Sequence, residues 1–263
     1  MRRFVIGDIH GCSKALRTIL ETIAPTPEDQ LIFLGDYIDR GPDSRGVIDL
    51  MLSAAKSTRT IALRGNHEVM LLAILLGGCD PKIWLQSGGA ATTASYGGSI
   101  DRIPVKHRDF FQSLRSQYET EREIFVHAGY QHDIVSDRFE DDDRYWKHML
   151  QPPPPHCSGK RVFVGHTPQP NGCVRDLGHV VYVDTYCFGG GYLTAMNIDT
   201  GDIIQATRQG HLRRDIASRA SGWVSRTLDR LFGPAGRAGH PLMPNKPPAD
   251  RSSAVAADHG NVP

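Results

Sequence analysis

Five times along the chain an apolar run of strand length stops on a short polar block. Phe4-Val5-Ile6 precedes GDIHG (7–11), LIFL precedes GDYIDRG (35–41), and TIAL precedes RGNHE (64–68). EIFV precedes HAG (127–129), and RVFV precedes GHTP (165–168). Unbroken apolar runs of this length mark strands buried on both faces, as in parallel sheets. Helical patterns near Ser13–Ile23, Ser44–Ala55 and Glu68–Leu76 follow the first three in turn, which is the strand–helix alternation of an α/β fold. Parallel strands deliver their carboxyl ends to one edge, where α/β folds gather their ligands. In the first block, the period of two along a strand puts Asp8 and His10 on the same side.

The remaining segments complete the layout. VMLLAILL (69–76) is too short to span a membrane and reads as a buried helix. HRDFFQSLRSQY (107–118) has the spacing of an amphipathic helix. HVVYVDT (179–185), GYLTAMNI (191–198) and DIIQATR (202–208) are strands with turn-like joints such as Asp199-Thr200-Gly201. There is no room for helices between them, so they predict an antiparallel second sheet. The expected architecture is an α/β (α+β sandwich) fold, with two mixed sheets packed face to face and flanked by helices. Residues 1–209 would form the domain. The polar stretch 130–159 is long enough to be functional or disordered. Residues 210–232 carry apolar positions at helical spacing opposite Arg213, Arg214, Arg219, Arg226 and Arg230, a helix for its own domain, a partner or a membrane surface. Residues 233–263 have the composition of a disordered tail.

Composition excludes several classes. The net charge of +1 gives no field for nucleic acid. The five cysteines are scattered, with no C-x-x-C, which argues against a disulfide framework or a cysteine zinc site and suits a reducing cytoplasm. The apolar run after Met1-Arg2-Arg3 breaks at Gly7-Asp8, too soon for a signal peptide.

The strand-end residues pool into Asp8, His10, Asp36, Asp39, Asn66, His67, His127 and His166. This mixture of oxygen and nitrogen donors without thiolates suits manganese, iron or zinc in an open site. The set exceeds the needs of one ion and matches two that share a carboxylate. Such a pair polarises a bridging water for in-line attack on a phosphate. Arg40 and Arg64 flank the same ends and offer planar forks for phosphoryl oxygens; the plainer reading pairs them with Asp43 or Glu68. His67, with Asp39 on its other ring nitrogen, is a candidate acid for the leaving oxygen. The remaining histidines 107, 132, 156, 179 and 211 are expected at the surface. Trp84 and SGGAATTASYGG (87–98) could wall a cleft, which the sequence alone does not show.

These five blocks, in this order, resemble the metallophosphoesterase (calcineurin-like) superfamily. Within it they resemble the phosphoprotein phosphatases, and most of all the short bacterial and phage-type serine/threonine protein phosphatases. The resemblance covers about residues 3 to 208. It implies the calcineurin-like sandwich and a phosphomonoesterase that depends on two divalent metal ions, manganese above all. Asp8, His10 and Asp36 would hold the first ion. Asp36 would bridge to the second, completed by Asn66, His127 and His166. Arg40 and Arg64 would grip the phosphoryl group, and His67, oriented by Asp39, would be the general acid. The substrate would be a phosphorylated protein or a small phosphoester. The alternatives are a dinucleoside polyphosphate hydrolase, a phosphotyrosine or small-metabolite phosphatase, and a non-catalytic interaction module. Two departures stand out. Phage-type members carry a further phosphate-binding arginine shortly after a tryptophan, where this chain has Trp146-Lys147-His148; Arg144, Lys147 and His148 are the nearby substitutes. Tyr186 stands where a glycine is expected after the late aspartate.

Overall fold

The computed structural model describes residues 1–213. Two five-stranded sheets form its centre. The first comprises β1 (Arg3–Ile6), β2 (Gln30–Phe33), β3 (Arg59–Ala62), β9 (Tyr192–Asn197) and β10 (Ile203–Thr207), in the order β10-β9-β1-β2-β3. The second comprises β4 (Gln117–Glu119), β5 (Glu123–Val126), β6 (Arg161–Val164), β7 (Arg175–Asp176) and β8 (Val180–Tyr182), in the order β4-β5-β6-β8-β7. In the first sheet β1, β2 and β3 run parallel, and in the second β5, β6 and β8 do.

Alternation along these apolar strands divides their side chains between three layers. Val5, Ile32, Leu34 and Ile61 face Phe125, Phe163, Val181 and Val183 in the core between the sheets. Phe4, Ile6, Leu31 and Phe33 turn outward into a second core. There they meet α1 (Ser13–Ile23) and α2 (Ser44–Ala54), which bury Leu16 and Ile19, and Val47, Ile48 and Met51. Ile124, Val126, Val162, Val164, Val180 and Tyr182 turn away from the first sheet and pack under Tyr130, Phe139 and Met149. Burial on both faces explains why these strands lack polar alternation. The polar-looking stretch 130–159 is thereby anchored by its own apolar residues.

Several expectations require correction. The late strands do not form an antiparallel second sheet. β8 lies parallel to β6 in the second sheet, whereas the β9–β10 hairpin joins the first, with β9 antiparallel to β1. A hairpin pattern fixes pairing within the hairpin, but not the edge it joins. The helix expected over 107–118 is α6 (Val105–Ser113), and Gln117–Glu119 is a strand instead. Leu76, at the end of α3 (Asn66–Gly77), is 66% exposed, so that helix is buried only on the side of Leu71 and Leu72.

Between α3 and α6 the chain winds through α4 (Lys82–Trp84), a wide turn at Leu85–Gly89 and α5 (Ala90–Ser95). The short helix α7 (Asp141–Tyr145) lies within the 130–159 stretch. His107 and His156, expected at the surface, are buried. His107 meets Tyr96 and Asp49, and His156 lies 2.8 Å from the Ile134 carbonyl. Beyond Arg213, the helix expected over 210–232 and the tail over 233–263 lie outside the described residues. No helix among the described residues is long and apolar enough to cross a membrane.

Candidate metal centre

The carboxyl ends of β1, β2, β3, β5, β6 and β8 meet at one rim, and the polar blocks lie there. The backbone at the rim is unusual. His10, Asp36, Asp39, Arg40, His166 and Tyr186 all have positive φ, between 44° and 71°. A side chain in this region is costly, and it persists where surrounding bonds hold it. β1 ends at Ile6, so Asp8 and His10 reach the rim through a left-handed turn and not by strand alternation.

Asp36 is at the centre and 1% exposed. Its Oδ2 lies 3.4 Å from His10 Nε2 and 4.0 Å from His67 Nε2, and its Oδ1 lies 3.5 Å from His127 Nε2. Asp36 belongs to two groups whose donor atoms could each hold an ion, His10–Asp36–His67 and Asp36–His127–His166. Gly65 permits this approach, since a Cβ there would lie 2.1 Å from Asp36 Oδ1. Glu68 locks the loop: its carboxylate accepts the backbone N–H groups of Asp36, Tyr37, Ile38 and Gly65 at 2.8–3.3 Å.

The tautomers favour a cation. His10 Nδ1 lies 2.9 Å from the Ile38 carbonyl, His127 Nδ1 2.9 Å from that of Leu34, and His166 Nε2 3.2 Å from that of Trp146. A carbonyl accepts only, so each of these nitrogens carries the proton and the other turns a lone pair inward. An outer hydrogen bond of this kind orients metal-binding histidines. Burial keeps all three rings neutral: His10 and His127 lie below the ordinary histidine value, and His166 is pushed down to about 3 by burial and by His127. The Asn66 amide oxygen lies 3.1–3.2 Å from His127 Nε2, His166 Nδ1 and both Asp36 oxygens. With oxygen inward, five acceptor atoms converge, which a cation would bind together; turned over, the amide would donate to them.

The carboxylates point the same way. Asp8 Oδ2 accepts the His166 N–H at 3.0 Å, while the buried Oδ1 finds no hydrogen-bond partner among the described residues. Burial, Asp184 and Asp36 push the Asp8 carboxyl well up. Burial would also raise Asp36, but toward low pH, as the surrounding rings gain protons, their charge, that of His127 foremost, outweighs it and holds Asp36 below the carboxylate range. The donor set of neutral imidazoles, carboxylates and one amide fits manganese, iron or zinc.

His67 differs from the other three rings. Its Nδ1 lies 2.6 Å from Asp39 Oδ2, and its buried Nε2 finds no hydrogen-bond partner among the described residues. Burial pulls its pKa down, but Asp36 and Asp39 outweigh that and hold it above the ordinary value. Arg40 Nη1 donates to His10 Nε2 at 2.9 Å, and its guanidinium lies 4.7 Å from the Phe188 ring centre. Arg64 instead donates to the Leu114 carbonyl at 3.3 Å and lines a groove of about 520 Å³ between α3 and α6. Neither arginine pairs with Asp43 or Glu68: Asp43 caps α2, and Glu68 holds backbone.

One residue at the rim was not read from the sequence, and another was named only as a substitute near Trp146. Asp184 follows β8, is 3% exposed, and is pushed up to about 7 by burial first and then by Asp36. Its signal was a sixth apolar strand, HVVYV, ending on an acid. His148 stacks on His166, with ring centres 4.3 Å apart. Arg144 and Lys147 are engaged elsewhere, by Gln117 and Asp141 and by Asp143. Of the three residues near Trp146, His148 is thus the one touching the rim. Tyr186 packs behind Phe188, whose ring meets His10 edge-on at 4.8 Å.

Comparison with known proteins matches residues 1–194 to the calcineurin-like phosphoesterase family model. The chain is 28% identical over 209 residues to serine/threonine-protein phosphatase 1 of Salmonella typhimurium, covering 74% of this chain and 91% of that one. It is also 28% identical over 221 residues to the asymmetrical bis(5'-nucleosyl)-tetraphosphatase PrpE of Anoxybacillus flavithermus, covering 73% and 88%. Its fold is similar to that of a cold-active protein-tyrosine phosphatase of a psychrophilic Shewanella, with a TM-score of 0.56, 17% identity, and coverage of 81% and 79%.

Proposed function

Because the chain belongs to the calcineurin-like phosphoesterase family, we propose that it hydrolyses phosphomonoesters of alcohols, namely phosphoserine and phosphothreonine in proteins. The observation that carries this reading is the Asp39–His67 pair, with His67 Nε2 free of hydrogen bonds among the described residues. An alkoxide leaves only with a proton, so an acid is needed. A phosphate leaving group departs as an anion near neutral pH, since its second pKa is about 6. A buried imidazole held above its ordinary pKa by two carboxylates keeps the proton an alkoxide requires.

In this reading Asp8, His10 and Asp36 would hold one divalent cation, and Asp36, Asn66, His127 and His166 a second. Manganese is the first choice, with iron or zinc as alternatives. When bound, the pair would supply Lewis acidity and a water that ionises near neutral pH. Arg40 would turn its fork from His10 to two phosphoryl oxygens, still backed by Phe188. Arg64 would add a second cationic contact from its place beside β3. Asp39 fixes which His67 nitrogen carries the donated proton. The free cysteines suit a reducing cytoplasm.

The test is a comparison of manganese-dependent turnover of a phosphoserine peptide and of diadenosine tetraphosphate. The peptide should be hydrolysed with a kcat/KM about tenfold higher or more, about 1.4 kcal/mol of transition-state preference. Preference for the dinucleotide would move the chain to the tetraphosphatase reading.

Cation removal should make stability depend on pH in a defined direction. Without cations the folded chain keeps protons on Asp184, pushed up to about 7, and on Glu68, pushed up to about 8 by burial and Asp36. The unfolded chain, with carboxyls at their ordinary values, has released them. From about pH 7 up to about pH 8, where Glu68 still holds its proton, the folded state therefore binds more protons than the unfolded state and stability falls as pH rises; above about pH 8 the difference fades. His10, His127 and His166 are largely neutral in both states there, while His67, raised, adds in the same direction. The melting temperature of chelator-treated protein should drop between about pH 7 and pH 8 and level off above that, and saturating manganese should flatten the drop because cations replace protons. A melting temperature that rises over this range would contradict the assignment.

A further inference from the structure

The turn carrying Asp39 and Arg40 is held by a segment that none of the steps above uses, residues 84 to 92. Asp39 is 0% exposed. Its Oδ2 accepts both His67 Nδ1 at 2.6 Å and the Trp84 indole Nε1 at 2.8 Å. Its Oδ1 accepts the Thr92 hydroxyl at 2.6 Å, and the same hydroxyl oxygen takes the Asp39 N–H at 2.8 Å. Ser44 Oγ closes the ring, 2.9 Å from Thr92 Oγ1 and 3.1 Å from Asp39 N. With three donors on its two oxygens, the carboxylate has one orientation.

The same segment holds Arg40. The Gly88 carbonyl accepts the Arg40 N–H at 3.1 Å. A Cβ on Gly88 would lie 2.7 Å from Arg40 Cγ, and its φ of 119° suits glycine. Gly89 lies against the Trp84 ring, where a Cβ would come within 2.4 Å of it. Asp39 and Arg40 are consecutive non-glycine residues with φ of 71° and 64°, a conformation that needs such support.

We propose that Trp84 and Thr92 are positioning residues for proton delivery, aiming the Asp39 carboxylate so that His67 presents Nε2 to the leaving oxygen. The proposal rests on the reading of His67 as the acid. Both side chains bond to Asp39 and act through it. Removing one donor leaves Asp39 freer to rotate and lets His67 tilt. Proton delivery should then suffer, while attack on phosphorus should not.

The manganese-loaded protein separates this role from a structural one through the leaving group. The steady-state kcat is measured on 4-nitrophenyl phosphate, whose leaving group needs little protonation, and on phenyl phosphate, whose leaving group needs more. Thr92→Val keeps the shape and removes the hydroxyl, whereas Thr92→Ser keeps the hydroxyl. Trp84→Phe removes the indole N–H. Thr92→Val and Trp84→Phe should lose about tenfold or more on phenyl phosphate and less than about threefold on 4-nitrophenyl phosphate, the scale of one hydrogen bond to a charged group. Thr92→Ser should stay near the unsubstituted protein on both. Equal losses on the two substrates, no loss on either, or a serine variant no better than valine would overturn the proposal. If Trp84→Phe fails to fold, the Thr92 pair still decides. His67→Asn separates the two readings. If it shows the leaving-group dependence and the Thr92→Val and Trp84→Phe proteins do not, the positioning role falls and the acid stands. If His67→Asn loses equally on both substrates, the acid reading falls and takes this proposal with it.

Discussion

Asp36→Asn should reduce kcat/KM for 4-nitrophenyl phosphate about a thousandfold or more, a loss of about 4 kcal/mol. Asp36 is the one side chain shared by both groups that could hold an ion. An amide has nearly the shape of a carboxylate but presents one acceptor oxygen and no charge. His10 and His67 would keep their places on one side, and His127 and His166 on the other, each held by its own hydrogen bond to a group other than Asp36. The imidazoles would therefore remain while the anion between them is lost. Bound manganese, measured on protein freed of excess metal, should fall from two per chain to one or none. The fold should survive, since the four backbone bonds that Glu68 accepts remain even if the bond from the His67 N–H to Asp36 Oδ1 weakens. A variant that kept both ions and full turnover would remove Asp36 from the centre of the mechanism.

How far the sequence showed the site depends on what each residue's signal was. Asp8, Asp36, Asn66, His127 and His166 were legible because each follows an apolar strand, and parallel strands bring their ends together by geometry alone. Asp184 obeys the same rule, but the hairpin-like spacing of its strand points to an antiparallel sheet, where an end carries no such meaning. The parallel pairing of β8 with β6 restores it to the rim. His148 had no periodic signal. It stands in the 130–159 stretch, whose course depends on Tyr130, Phe139 and Met149 packing on the outer face of the second sheet. The bonds of Trp84 and Thr92 to Asp39, in a segment read only as a cleft wall, were not legible for another reason. Their segment winds through three short helical pieces around two glycines, and short local patterns do not reveal which distant carboxylate a tryptophan N–H meets. The two-sheet architecture was readable from unbroken apolar runs; the edge joined by β9 and β10 was not, because it depends on which neighbour completes β1.

His67→Asn should divide the reaction where the structure divides its histidines. His10, His127 and His166 each give their outer proton to a backbone carbonyl and are driven neutral by burial. His67 gives its proton to a carboxylate and is held above the ordinary value, so it is built to carry a proton rather than a lone pair. Yet its Nε2 lies 4.0 Å from Asp36 Oδ2, close enough to complete an ion site with His10. The two roles predict different losses. A ligand would take a cation with it, and turnover would collapse for every substrate. An acid would leave both cations bound and cost about 100- to 10,000-fold on a phosphoserine peptide, the usual contribution of a positioned proton donor. On 4-nitrophenyl phosphate the loss should be far smaller, because that leaving group departs as an anion. The expected result is two manganese ions retained, a steep loss on the peptide and a shallow one on the aryl ester. Loss of an ion together with equal losses on both substrates would make His67 a ligand and leave the alkoxide without its proton source.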